Sequence, residues 1–231
     1  MNAPAASAPG TSLALLRLLH LASPALPVGA YAYSQGLEWA VQAGWVRDAP
    51  GTQAWLQGLA QRGLGSLDLP VLARLHQGWQ QGAQDDVTLW NARLIASRPT
   101  QELRAEDEHL GSALARVLAG LGAIDTQSGV PPRPAFATLF ALAAVRWQIG
   151  VREALTGYLW SWTENQVLAA IKLVPLGQSA GQSLLHRLAE DMPAIVERAL
   201  ALPDDEIAAS TLSQTLASAL HETQYSRLFR S

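Results

Sequence analysis

Residues 151–173 read VREALTGYLWSWTENQVLAAIKL and form the most apolar long segment of the chain. The polar run Glu164, Asn165 and Gln166 interrupts it near the middle. Its Leu and Ala favour helix. Pro175, which lacks an amide hydrogen, and Gly177 then end that helix. Upstream, Phe136, Leu139, Phe140, Ala143 and Trp147 recur at helical spacing. The same bias runs through all 231 residues: 38 Leu and 40 Ala stand against 18 Val plus Ile. Straight-chain residues and Ala favour helix, whereas β-branched residues favour strand. The expected fold is all-α, a single bundle of roughly ten helices.

The remaining segments fit that expectation. Residues 13–22 read as a short helix stopped by Pro24 and Pro27, and Gly29 begins a Tyr-rich turn. A helix follows from about Ser34 to Ala43, with Gly44 as its stop. Two more cover 52–64 and 70–82. Asp85 or Asp86 is placed to cap the next, which runs through Ala96. Pro99 and Thr100 open a longer helix whose first turns carry Glu102, Glu106, Asp107 and Glu108, as a helix N-terminus prefers. Its apolar face is Leu110, Leu114, Val117, Leu118 and Leu121. Residues 123–134, AIDTQSGVPPRP, form the clearest break and read as a loop inside one bundle. Three weaker helices are expected over 178–188, 193–201 and 210–229. Residues 1–12 are expected to be a disordered N-terminal segment, which leaves one helical domain over 13–231.

Composition excludes several functions. Net charge is −3, so no basic field exists to hold a phosphate backbone, and nucleic-acid binding is not expected. There is no cysteine, hence no disulfide, zinc–thiolate site or thiol catalysis. Residues 13–28 loosely mimic a signal peptide, but no basic residue precedes them and Arg17 and His20 interrupt them. The longest apolar run elsewhere, 167–176, contains Lys172 and is far short of the ~20 residues of a membrane span. A soluble, cytoplasmic protein is expected, with no membrane contact.

Catalytic motifs are absent: no GxxxxGK, no GxGxxG and no HExxH. The five histidines (20, 76, 109, 186 and 221) are scattered. The segment Ala32-Tyr33-Ser34-Gln35-Gly36 resembles a nucleophile elbow, but that motif needs a strand before the serine, and SPALPVGAY carries two prolines there. The ordinary reading is that Ser34 caps the helix beginning there, with Glu38 near its first turn.

Three stretches look specific. In 21–46, Pro27 and Gly29 set a sharp turn, and Tyr31, Tyr33, Trp39 and Trp45 supply amphipathic surface for a core or an interface. In 158–178, Lys172, the single lysine, stands in an apolar helix and must snorkel or meet a carboxylate, internal or on a partner. In 221–231, Tyr225, Leu228 and Phe229 fall at i, i+3 and i+4 beside Arg227 and Arg230. Burying Leu and Phe is worth about 1.5–3 kcal/mol each, so this tail should dock on its own bundle or on another chain.

At these stretches the sequence resembles the urease accessory protein UreF family. The residues that carry the likeness are LASPALPVGAYAYSQGLEWA, SRPTQELRAED (97–107), AAIKLVPLGQ and HETQYSRLFRS, in that family's order over roughly residues 13 to 231. The resemblance implies a homodimer with no enzymatic activity of its own. It implies binding to UreD (also called UreH) and then to the GTPase UreG, with modulation of its GTPase, as the complex delivers nickel to apo-urease. It places the UreD/UreH contact on His221, Glu222, Tyr225, Arg227, Leu228, Phe229 and Arg230. Glu38 and Lys172 would face UreG. Pro27, Gly29, Tyr31, Ser34, Gly36, Pro175 and Gly177 would be the structural motif residues. Two positions depart from the family: Leu220 stands where relatives often have Arg, and Ala32 where they often have Ser.

No cofactor is expected to be bound tightly. Ni(II) favours imidazole and thiolate ligands. With no thiol and no clustered imidazole, the high-affinity ligands would belong to partners. Two other readings compete: a hydrolase using Ser34, and a free-standing nickel carrier.

Overall fold

A computed structural model describes residues 9–125, 127–209 and 211–231, with side chains from residue 12. Its order is α1 (Pro9–Ala22), α2 (Leu37–Gln42), α3 (Ala49–Arg62), α4 (Asp68–Gln81), α5 (Gln84–Ala96), α6 (Gln101–Gly120), α7 (Phe136–Arg146), α8 (Val151–Leu173), α9 (Gln178–Ala201) and α10 (Leu212–His221). Short 3₁₀ turns occupy Ala30–Ala32, Leu64–Ser66 and Asp204–Glu206. Among the described residues there is no strand, and no helix is long and apolar enough to cross a membrane. The all-α expectation is met.

Helix α7 is the centre. Every residue from Ala137 to Ala144 is buried, between α4, α6 and α8. Its alanines let neighbouring backbones approach, and Phe140 supplies the bulk, edge-on to Tyr158 of α8 at 5.4 Å. The loop before α7 passes so close to α6 that a Cβ on Gly111 would lie 1.9 Å from the Pro134 carbonyl oxygen. Asn91 pins that loop: its side chain donates to Arg133 O and accepts from Ala135 N and the Thr138 hydroxyl. One core runs from Leu72 and Leu94 through Leu114 and Phe140 to Leu155 and Ile195, on both sides of the loop.

Several boundaries differ from the sequence reading. Helix α1 begins at Pro9, so residues 9–12 are helical. Proline suits a first turn, where its missing N–H has no helical partner anyway. The rest of the expected disordered segment, residues 1–8, lies outside the described residues. The helix expected from Ser34 shrinks to Leu37–Gln42, because Gly36 adopts the left-handed conformation (φ 84°). Asp85 and Asp86 sit in the first turn of α5 rather than capping it, whereas Thr100 does cap α6 through Leu103 N.

The expected helices 178–188 and 193–201 are one helix, continuous through Pro193. Leu184, Leu188, Met192, Ile195 and Ala199 form an unbroken buried face, and their burial outweighs the proline's lost hydrogen bond. The expected 210–229 helix stops at His221: the Thr223 and Gln224 amides close tight turns onto Leu220 O and His221 O, and the Leu228 and Phe229 amides bond to Glu38.

Candidate functional site

The sequence-selected stretches meet at one end of the bundle, where residues 222–231 lie across α2, α6 and the end of α8. The anchor is Glu38, in the first turn of α2. Its carboxylate accepts the Leu228 N–H at 2.7 Å and the Phe229 N–H at 2.8 Å, and stands 3.3 Å from His221 Nε2. Such charge-assisted bonds in a buried setting are about twice as strong as neutral ones. His221 is fully buried, and its Nδ1 lies 2.7 Å from Glu102 on α6. Glu102 also takes Arg227 at 2.7 Å. Glu222 accepts from Gln101 N and Glu102 N, capping α6 from outside the helix. Thr100 and Ser218 share a 2.8 Å hydroxyl bond that joins α6 to α10.

Further along, Arg230 N donates to Ala32 O, and Ser34 N donates to Ser231 O. The Ser34 hydroxyl donates to Ser231 O at 2.6 Å and accepts from Glu38 N at 3.2 Å. Ser34 was expected to cap a helix beginning at its own position; the N-cap position of α2 is instead Gly36, and the Ser34 hydroxyl takes only the Glu38 amide of the first turn from outside the helix. It is wholly buried with its proton on a backbone oxygen, and no described strand precedes it, so the nucleophile-elbow geometry is not present. Phe229 is buried, and the ammonium of Lys172 lies 5.7 Å from its ring centroid. Lys172 thus reaches the surface at the end of α8 and makes a cation–π contact with the tail.

Gly36 belongs to the same junction: a Cβ there would lie 2.9 Å from Ser218 N. Gly29 has φ 84° and leads into the 3₁₀ turn that carries the exposed Tyr31. Pro27 is exposed in that turn, and Pro175 and Gly177 form the exposed corner between α8 and α9.

The tail has a second face. Tyr225 is fully exposed and Leu228 is 65% exposed. On α10, Leu212, Leu216 and Leu220 recur every fourth residue at 73%, 46% and 43% exposure. Arg227 and Arg230 flank them at the surface. Leu220, one of the departures, points outward and takes no part in the buried network. Ala32, the other, contributes its backbone carbonyl, which any residue supplies.

Under Gln35 and α6 lies a cavity of mixed lining, with Gln35, Asp68, Arg98, Glu106, Asn165 and Gln166 among leucines and Phe136. Arg98 bridges Asp68 at 2.5 Å and Asp107 at 2.8 Å. Burial lowers the affinity of its guanidinium for the proton, but the two carboxylates prevail and hold it well above its usual value. Burial pushes the Tyr158 hydroxyl well up. Among the described residues no three His, Asp or Glu side chains converge as metal ligands.

Glu102, Glu106 and Ser218 were not singled out by the sequence. The two glutamates read as acids suited to a helix N-terminus, a role that hides a longer-range one. The only available signal was their i, i+4 spacing, which sets both on the face that meets the tail.

The fold and this junction define a helical bundle whose polar side chains are committed to ordering a surface. Comparison with known proteins gives the family. The UreF family model matches residues 46–189. Proteins named urease accessory protein UreF from Alkalilimnicola ehrlichii, Teredinibacter turnerae and an Azoarcus species are 51%, 49% and 48% identical. Those alignments cover 95%, 94% and 96% of this chain and 96%, 98% and 97% of the relatives. The chain belongs to the UreF family of urease accessory proteins.

Proposed function

We propose that this chain serves urease maturation as a scaffold. It bridges UreD (UreH) and the GTPase UreG, modulates that GTPase, and has no catalytic step of its own. The observation that carries the reading is the two-sided tail. Its inner face is locked by Glu38, Glu102 and Ser34, and its outer face leaves Leu216, Leu220, Tyr225 and Leu228 uncovered. Exposed leucine and tyrosine flanked by arginine is the composition of a docking surface. UreD takes that face.

Lys172 is exposed at the end of α8 and offers a charge toward UreG. Glu38 acts from within, by holding the tail in register, rather than by touching a partner. The scaffold works as a homodimer in the cytoplasm, and apo-urease is engaged by the assembled complex. Nickel is cargo, held by ligands of the partners.

Co-expression with UreD and UreG, followed by size exclusion with light scattering, tests this. A co-eluting species whose mass requires two copies of this chain is expected. A chain that elutes alone beside folded, soluble partners would overturn the scaffold. Micromolar nickel binding by the isolated chain in calorimetry, dependent on its histidines, would favour the carrier instead.

A further inference from the structure

We propose, on the reading that UreD takes the tail's outer face, that the same partner also lays an apolar helix in the groove between α3 and the start of α10, with a carboxylate of that helix set against Arg62.

The groove has a volume of about 470 Å³. Gly51, Ala54 and Gly58 of α3 line it at i, i+3 and i+7, which is one face of a helix. Trp45 and Leu212 line it too, and they are 47% and 73% exposed. Trp45 is held edge-on to Trp39 at 4.8 Å, so a large aromatic stands in place before anything docks. Gly58 points to close approach from outside. Glycine inside a helix is destabilising relative to alanine. Gly111 has an internal reason, the Pro134 carbonyl against which a Cβ would clash. Among the described residues, a Cβ at 58 would meet only the flexible end of Arg62, at 2.9 Å. Nothing inside the bundle therefore calls for glycine there, whereas small side chains along this face let a second helix approach closely.

Leu212 ties the groove to the tail. It begins the exposed α10 row that continues through Leu216 and Leu220, so the groove and the outer face share one apolar surface. A standard interface engages about 20–30 residues a side, and the tail's outer face with its two flanking arginines is too small to supply them alone. The groove is where that surface continues. Charge supplies the rest of the partner's chemistry. Arg62 lies on the groove, and Arg47 beside Trp45 donates to the Gly44 carbonyl. Among the described residues neither arginine forms an ion pair. Asp48, the acid nearest in sequence, is committed to capping α3 through Gly51 N at 2.8 Å. Covering Arg62 without a counter-charge would be costly, so the helix that docks carries a carboxylate at that end.

The chain has no cysteine, so Ala54→Cys in the groove and Leu216→Cys on the outer face each supply a single thiol. Alkylation at each position by a neutral maleimide is followed by peptide mass in the full chain, alone and co-purified with UreD. Both positions should react about tenfold more slowly, or slower still, in the complex, because the core of an interface excludes water and reagent. Slowed reaction at 216 with an unchanged rate at 54 overturns the groove while the docking reading stands. Unchanged rates at both, or no complex, overturn that reading and the groove with it. A rate at 54 that falls as the free chain is concentrated would seat a second copy there and also overturn the proposal. Gly58→Leu separates docking from folding. Leucine is the better helix former, so the urea midpoint should hold or rise, while the chain recovered on tagged UreD should fall about tenfold. Recovery equal to that of the wild type would sink the groove.

Discussion

Glu38 and Phe229 are 191 positions apart, yet the Glu38 carboxylate accepts the Phe229 amide at 2.8 Å, with the Leu228 amide beside it at 2.7 Å. A segment that would otherwise continue α10 is instead held by a side chain of α2. Glu38→Gln removes the charge and turns an amide NH₂ toward one of the two donors. Hydrogen bonds to charged groups contribute about 1.5–3 kcal/mol, so tail docking should weaken by about 2–3 kcal/mol. Trypsin should then cleave at Arg227 markedly faster than in the wild type, with the helical circular dichroism unchanged.

Truncation after Leu220 removes His221 and everything it supports. The bundle core lies elsewhere, in α4 to α9, so helix content should persist. Binding to UreD, measured by co-purification, should be lost. Retained binding would place the UreD contact away from the tail.

Leu216→Glu with Leu220→Glu leaves the inner network intact and charges the outer face. Surface changes of this kind usually stay within about 0.5 kcal/mol of wild-type stability. Urea unfolding should shift little, while the mass of the complex with UreD falls to that of the separate chains.

Arg98→Met strands Asp68 and Asp107 in the interior. Breaking a buried pair from one side costs about 3–5 kcal/mol. The urea midpoint should drop accordingly.

Much of the architecture was legible in the residues themselves. Leucine at helical spacing, the Thr100 cap and the stop at Pro175 and Gly177 are local signals, and each specified its helix. The family was legible too, because motifs spread along the chain occur together and in order. The tail was marked as a segment that must dock, since Leu228 and Phe229 are too apolar to be left in water.

What the tertiary structure decided was every relationship that crosses the chain. Whether Pro193 breaks a helix depends on the face buried around it, and α9 runs through because that face is continuous. Whether Glu102 and Glu106 merely favour a helix start or clamp His221, Arg227 and Ser231 depends on what the bundle brings opposite them. Local propensity acts over a few residues, whereas the bonds from Glu38, Glu102 and Glu106 span more than a hundred. Only the folded core fixes the distances that let those bonds form.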